Sequence, residues 1–344
     1  MDARARISKL VAAAERLADG EDPLGREARA RLPDSTGLSA ENIELALTEI
    51  LETRPSASEL EELMTGAVAA AHVHVLLSSN VFVAAHRAIA CALASSPRVT
   101  VRASRREPVF PELLRRASGL FEFATELCPE PGDEVHAYGS DATLAELRGT
   151  LPESVVLRAH GAGFGVALVG EASRRAAEEL ARDLVPFDQR GCSSPRAAIV
   201  LGSVESAREF AQHVSAELAR ANRRIPLGRL SADELAEMAR ARSTWTFAGE
   251  LFETGSSFVA LDPMGERLTP APVGRNLIVV PSRPDLDWLE ARAAEVVTIG
   301  VAFGSELEGL ARKVAPSARV VPLGRMQRIP LDGPLDRRPT LVAR

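Results

Sequence analysis

The period of the apolar positions changes at about residue 70. Ahead of it Ile7, Leu10, Val11 and Leu17 recur at helical spacing, and Ser58 followed by Glu61 has the form of a capping box, so residues 1–70 read as a helical preface. Beyond it short apolar runs alternate with longer amphipathic stretches: HVHVLL, VFVAAHRAIACALASS, RVTVRAS, FPELLRRASGLFEFATEL and EVHAYG. That succession predicts β-α-β-α-β, the order of a parallel sheet covered by helices, with the first of those helices beginning near Val81. A helix over 141–150 and a strand at VVLRA follow, and the turn HGAGFG then enters the apolar run VALVG. A second series reads as a long helix EASRRAAEELARDLV, the loop FDQRGCSSPR, a strand AAIVLG and a helix ESAREFAQHVSAELAR. Toward the C-terminus RNLIVVP, EVVTIGVA and ARVVPLG are strand-like, with helices between them. Proline and glycine cluster in 262–274, which predicts a loop bordering a site rather than a linker between domains.

A chain of 344 residues exceeds the roughly 250–300 that one core organises, so two domains are expected. Hydrophobic residues at 46% and charged residues at 26% are ordinary for a globular protein and argue against disorder. Lysine occurs only at Lys9 and Lys313, which removes a Walker-type phosphate loop and disfavours Schiff-base chemistry. The arginines are scattered among acidic residues to a net charge of -6, so no basic stripe for nucleic acid is present. Cys91, Cys128 and Cys192 are far apart and odd in number, as suits free thiols, and they make no metal-spacing motif. The N-terminal helix carries charges throughout and no apolar run reaches about 18 residues, so a cytoplasmic protein without a membrane span is expected.

Cys192 lies in Arg190-Gly191-Cys192-Ser193-Ser194-Pro195, after a helix and before a strand, hence in a tight loop. Small neighbours let the backbone approach a substrate and leave amide N–H groups to face a developing oxyanion; the plainer reading is a cysteine serving as a small hydrophobe. Asn80, in the turn after HVHVLL, is either the N-cap of the next helix or an amide donor at the C-terminal edge of a parallel sheet, where open α/β folds bind ligands. Arg102, Ser104 and Arg105 follow the next strand and form either a solvated loop or a set of donors to an anionic cofactor. Gly139 and Ser140 have the same placement before a helix N-terminus, which favours a phosphate or is a plain cap. Gly161, Gly163 and Gly165 are not a dinucleotide fingerprint, because a strand rather than a helix follows them. His160 shares that turn, whereas His72, His74 and His86 lie on strand or helix patterns and read as structural, so no metal site is expected.

In this order the pieces resemble the aldehyde dehydrogenase superfamily, and within it the acyl-CoA reductases typified by the fatty-acid reductase of bacterial luminescence. In the superfamily one strand ends in an asparagine before a long helix and the next in a lysine-proline-serine signature. Here LLSSNVF supplies Asn80, and VTVRAS supplies Arg102 and Ser104. DQRGCSSPR, about ninety residues on, is very close to the acyl-CoA reductase form of the cysteine loop, and RVVPLGRMQRIPLDGPLDRRPTL resembles that family's C-terminal stretch. The resemblance covers residue 70 to the end. It implies an α/β, aldehyde dehydrogenase-like fold of two parallel-sheet, Rossmann-like domains with an N-terminal helical segment: a cofactor-binding domain over 1–159, a catalytic domain over 160–321, and a tail over 322–344 that returns to the body or to a partner subunit.

The resemblance further implies reduction of an acyl-CoA or other acyl thioester to an aldehyde with NADPH or NADH, Cys192 being the nucleophile and Asn80 with the Cys192 N–H holding the oxyanion. Oxidising members carry a water-activating glutamate where this chain reads Ala159-His160-Gly161, and His160, nearest that position, either assists proton transfer or shapes the turn. Arg105, three residues after Arg102, stands where NAD-preferring relatives have an acid, which implies NADPH, with Glu107 as the alternative acid. Rival readings are an oxidising aldehyde dehydrogenase or acyl-phosphate reductase of the same fold, or a catalytically silent partner of an acyl-activating complex. A second copy of the chain or an acyl-activating enzyme is the protein partner implied.

Overall fold

A computed structural model describes residues 1–265, 268–282, 286–302 and 304–331, and the chain divides into two compact units. The first, Met1–Ala162 with a return over residues 328–331, opens on four helices: α1 (Ala3–Ala18), α2 (Pro23–Thr36), α3 (Ala40–Leu45), which continues into a π-helical turn, and α4 (Ala57–Gly66). Ile7, Leu10 and Leu17 bury the apolar stripe of α1 against the sheet-covering helices, as their spacing predicts, and Val11 is half-buried at its margin. The capping box of α4 forms two residues ahead of the expected one, between Ser56 and Glu59. Pro55 accounts for the shift: it has no N–H for a preceding helical turn but is well suited to the extended lead-in to a cap.

The sheet of this unit contains β1 (Val73–Leu76), β2 (Val99–Arg102), β3 (Glu122–Phe123), β4 (Glu134–Tyr138) and β5 (Val156–His160), in the order β3-β2-β1-β4-β5, all parallel. Between them run α5 (Ala84–Ser95), α6 (Val109–Ser118) and α7 (Asp141–Thr150). Two boundaries differ from expectation. FPELLRRASGLFEFATEL is not one helix: Gly119 takes a left-handed conformation at φ 63°, closes α6 through its N–H to the Arg115 carbonyl, and lets Glu122–Phe123 pair as an edge strand. The helix after β1 begins at Ala84 rather than near Val81, because Val81 to His86 first wind through three tight i→i+3 bonds.

The second unit, Gly163–Gln327, holds a seven-stranded sheet. Its elements are β6 (Phe164–Val169), α8 (Arg174–Leu184), β7 (Pro195–Leu201), α9 (Val204–Arg224), α10 (Ala232–Ala248), β8 (Glu250–Glu253), β9 (Phe258–Leu261), β10 (Leu277–Ser282), α11 (Asp287–Glu290), β11 (Val296–Ala302), α12 (Ser305–Val314) and β12 (Arg319–Pro322). The order is β12-β11-β6-β7-β10-β9-β8, parallel except for β8, which returns antiparallel on β9. Every residue of β6 and β11 is buried, which is why VALVG and EVVTIGVA read as continuous apolar runs rather than alternating ones. Val166, Leu168, Ile199, Ile299 and Val301 form the middle of this core. Part of the 262–274 loop (Glu266 and Arg267) and most of the expected tail, residues 332–344, lie outside the described residues.

Candidate functional site

Cys192 occupies the second position of a four-residue turn in which the Ser194 N–H donates to the Gly191 carbonyl at 3.0 Å. The turn delivers the chain into the N-terminal end of β7, and Cys192 is half-buried between buried Gly191 and Ser193. None of the three cysteines is in a disulfide. The turn is pinned from several directions. The Ser194 carbonyl accepts the Gly165 N–H at 2.8 Å, and the Ser193 hydroxyl bonds that of Thr298 on β11 at 3.0 Å. A Cβ at Gly165 would fall 2.4 Å from the Ser193 carbonyl oxygen and 2.6 Å from Met326 Cε. This glycine of HGAGFG therefore permits close approach of the cysteine turn to β6, consistent with the absence of a phosphate fingerprint.

Immediately before the turn, Phe187, Asp188 and Gln189 all have positive φ (55°, 51° and 66°), a single left-handed turn built without glycine. Each such residue costs roughly 1–2 kcal/mol, so neighbouring contacts must impose the conformation. They do. Asp188 and Arg275, both fully buried, are joined at 2.7 Å, and Asp188 also accepts the Gly228 N–H. Burial pulls the Arg275 guanidinium below its ordinary pKa and Asp188 opposes that shift. Arg275 spends its remaining donors on Asn222 and on the carbonyls of Ile225 and Pro226. The buried Gln189 amide donates to the carbonyls of Pro195 and Asn276 at 2.6 Å each and accepts the Asn276 N–H. Arg190 pairs with Glu234 at 2.8 Å on α10; burial pushes Glu234 up, but Arg190 and Ser231 outweigh it and hold the carboxyl below its usual range.

The PLGRMQ segment, residues 322–327, is the clamp on the other side. Asp183 on α8 accepts the N–H groups of Gly324 at 2.6 Å and Met326 at 2.9 Å, while burial pushes its pKa up to about 7 against those bonds. Gln327 donates to the Asp183 carbonyl and to the Ser194 hydroxyl, which ties this segment to the cysteine turn. Met326 enters a slot left by two glycines, since a Cβ at Gly165 or Gly300 would come within 2.6 Å of it. The joint presence of CSSPR and PLGRMQ in one chain thus has a physical basis.

The remaining candidates belong to the first unit and gather at the C-terminal edge of its sheet. Strand order reverses between β1 and β4, so the loops after β1, β2 and β4 flank the switch point where such sheets take ligands. Asn80 is exposed in the loop after β1. It does not cap α5, whose N-cap position is Val83 without a side-chain bond, and its amide makes no hydrogen bond among the described residues. Arg102, at the end of β2, and Arg105 and Arg106 beyond it are exposed, and none of their guanidinium groups has a partner among the described residues. The Ser104 hydroxyl accepts the Arg106 N–H and shapes this loop. Glu107 is 3% exposed, accepts the Phe110 N–H at the start of α6, and is raised by burial to about 7, so it does not present a carboxylate to solvent. Ser140 caps α7 through the Thr143 N–H, while Gly139 donates to the His160 carbonyl. His160 closes β5 rather than sitting free in the glycine turn, and its ring stacks on that of Tyr138 at 4.6 Å. Sequence reasoning missed Asp188, Gln189, Arg275, Asn276 and Asp183, although DQRGCSSPR contains the first two.

The family model described as acyl-CoA reductase (LuxC) matches residues 122–336. No curated protein matches the chain by sequence. Among solved structures, a mutant of Bradyrhizobium japonicum proline utilization A is similar with a TM-score of 0.67 at 16% identity, over 98% of this chain and 41% of its own length. An oxidoreductase from Marinobacter aquaeolei is similar with a TM-score of 0.67 at 12% identity, over 97% of this chain and 79% of that one. A NAD-dependent benzaldehyde dehydrogenase from Corynebacterium glutamicum gives 0.64 at 15% identity, over 93% and 80%. The chain thus spans about two fifths of the first of these and four fifths of the others. These likenesses show the fold, an α/β aldehyde dehydrogenase-like arrangement, as expected.

Proposed function

The chain belongs to the acyl-CoA reductase (LuxC) family, and from that membership we propose that it reduces an acyl-CoA, or another acyl thioester, to an aldehyde through an acyl group carried on Cys192. The observation that carries this reading is the cysteine turn: a half-buried thiol in a Gly-Cys-Ser-Ser turn whose neighbours are fixed by buried hydrogen bonds, an ion pair and close glycine contacts. A nucleophile held in one geometry avoids reorganisation at the moment of attack. The Cys192 thiolate attacks the acyl carbonyl, the oxyanion takes hydrogen bonds from the Asn80 amide and the Cys192 N–H, and collapse expels the CoA thiolate to leave a thioester on Cys192. When bound, a reduced nicotinamide supplies the hydride that brings this thioester to the aldehyde level, and Cys192 leaves as thiolate. His160, whose ring stacks on that of Tyr138 at the end of β5, either assists proton transfer or only shapes this exit.

The residues present fit a nicotinamide dinucleotide. The first sheet offers a switch point between β1 and β4, a cationic loop at Arg102–Arg106 whose guanidinium groups have no partner among the described residues, and the N-terminal end of α7 behind Gly139 and Ser140. Arg102, Ser104, Arg105, Gly139 and Ser140 would hold it, and Arg105 would favour NADPH. Intact-mass spectrometry after incubation with an acyl-CoA tests the central step. An acyl adduct on the wild-type chain and none on Cys192→Ala, with the variant's circular dichroism unchanged, is the expected result. An undiminished adduct on the variant overturns the assignment.

A further inference from the structure

At the opposite, N-terminal end of the first sheet a second group of chemically capable side chains comes together. His72 immediately precedes β1 and His74 is its second residue, so at this spacing their side chains lie on one face. Parallel pairing of Val73 with Glu134 sets Asp133, just ahead of β4, beside them. His74 Nε2 lies 3.1 Å, and His72 Nδ1 3.9 Å, from the same oxygen, Asp133 Oδ2, and the two imidazole rings have centroids 4.0 Å apart. One atom from each residue falls within 4.8 Å of the others. Four-coordinate zinc with bonds of about 2.0–2.1 Å places its ligand atoms roughly 3.3 Å apart, so small side-chain adjustments suffice to surround an ion. His72 Nε2 is 2.8 Å from the Thr100 hydroxyl. With that nitrogen donating to Thr100, Nδ1 carries its lone pair toward Asp133 Oδ2, which also accepts the Glu130 N–H at 2.9 Å, and a cation would sit between the ring nitrogens and this carboxylate. An outer hydrogen bond of this kind is what fixes the tautomer of a metal-ligating histidine. His74 and Asp133 are 3% and 6% exposed, so two of the three groups are desolvated, and His72 is half-buried beside them.

We propose that His72, His74 and Asp133 bind a divalent transition-metal ion of the zinc type, with a fourth position left to water. Two imidazoles and one carboxylate suit zinc and its neighbours rather than magnesium or calcium, which take oxygen ligands. The ion ties β1 to the start of β4 and braces the strands whose other ends carry Asn80, Gly139 and Ser140. It takes no part in the reaction proposed above. Sequence spacing gives no sign of it, because His74 and Asp133 are 59 residues apart.

Titration of the untagged full chain, stripped with a chelator, with Zn2+ alone tests this by calorimetry, and Co2+ replaces it for absorption spectra. One Zn2+ per chain, a nitrogen- and oxygen-type Co2+ spectrum without thiolate charge transfer, and a higher Tm with metal are expected. Thr100→Val should weaken binding about 10–100-fold, and His72→Ala by more than that. His72 precedes β1 and is half-buried, so the His72→Ala chain is expected to fold, which circular dichroism checks; His74→Ala is a second, more buried variant. Absence of stoichiometric Zn2+ uptake by the wild-type chain, or equal uptake by a folded His72→Ala chain, overturns the proposal.

Discussion

Around Cys192 nearly every polar group from Asp188 to Ser194 is committed: Asp188 to Arg275 and Gly228, Gln189 to Pro195 and Asn276, Arg190 to Glu234, Ser193 to Thr298, Ser194 to Gly165 and Gln327. At the C-terminal edge of the first sheet, by contrast, the side chains of Asn80, Arg102, Arg105 and Arg106 have no partners among the described residues. The difference separates two demands. The nucleophile proposed at Cys192 would act from one position, and three consecutive left-handed residues immediately precede its turn. Groups that meet a cofactor or a transient charge are more useful uncommitted, since any internal bond would have to be broken first. The two regions should therefore respond to mutation in different currencies, stability in one and kinetics in the other.

The sharpest test on the committed side is Asp188→Ala. It leaves Arg275 fully buried without its counter-charge, and breaking such a pair costs about 3–5 kcal/mol. Denaturant unfolding should show that loss, and adduct formation on Cys192 should fall with it as the turn loses its support. A loss below about 1 kcal/mol would mean that the left-handed turn does not depend on the pair.

The parallel order of the first sheet was legible in the alternation of short apolar runs with amphipathic stretches, and β6 and β11 of the second stood out as apolar runs because they are buried throughout, whereas the antiparallel return of β8 was not legible. The stretch holding α10, β8 and β9 carried no such signal. Only two residues of α10, Met238 and Trp245, are buried, and the four residues of β9 are too few for period to separate strand from helix. Cys192 stood out through its glycine and serine neighbours. The groups that fix it did not, because Asp188 and Arg275, like Gln189 and Asn276, are 87 residues apart and pair only in the folded chain. Asn80 illustrates the converse: its identity suits a cap, but three tight turns intervene before α5 and leave the amide outside the helix.

On the uncommitted side, Asn80→Ala should leave unfolding within about 0.5 kcal/mol of the wild type, since the exposed side chain makes no hydrogen bond among the described residues. Loss of one oxyanion donor typically lowers turnover about 10²–10³-fold, or roughly 3–4 kcal/mol of barrier, with little change in acyl-CoA affinity. A stability loss of about 1 kcal/mol with unchanged turnover is what a helix cap would give, and it would place Asn80 with the structural residues.

The smallest effect expected is on cofactor choice. Arg105 is exposed and without a partner among the described residues, while Glu107, two residues on, is buried against the start of α6. A guanidinium cannot accept from a ribose hydroxyl but can pair with a 2′-phosphate. A charge-assisted hydrogen bond contributes about 1.5–3 kcal/mol, equivalent to roughly 10–100-fold. Arg105→Ala should therefore reduce the ratio of kcat/KM for NADPH over NADH by about that factor, with the NADH value nearly unchanged, because only the phosphate contact is lost. Arg102 and Arg106 keep part of the positive field, so the lower end of the range is the better expectation. The preference should also narrow as salt rises, since an exposed pair is screened over about 10 Å at 0.1 M. Glu107→Gln should leave the ratio where it was, because that carboxyl already serves α6. Equal use of the two cofactors by the wild-type chain, or an unchanged ratio in Arg105→Ala, would remove Arg105 from the cofactor site and leave it a solvated charge.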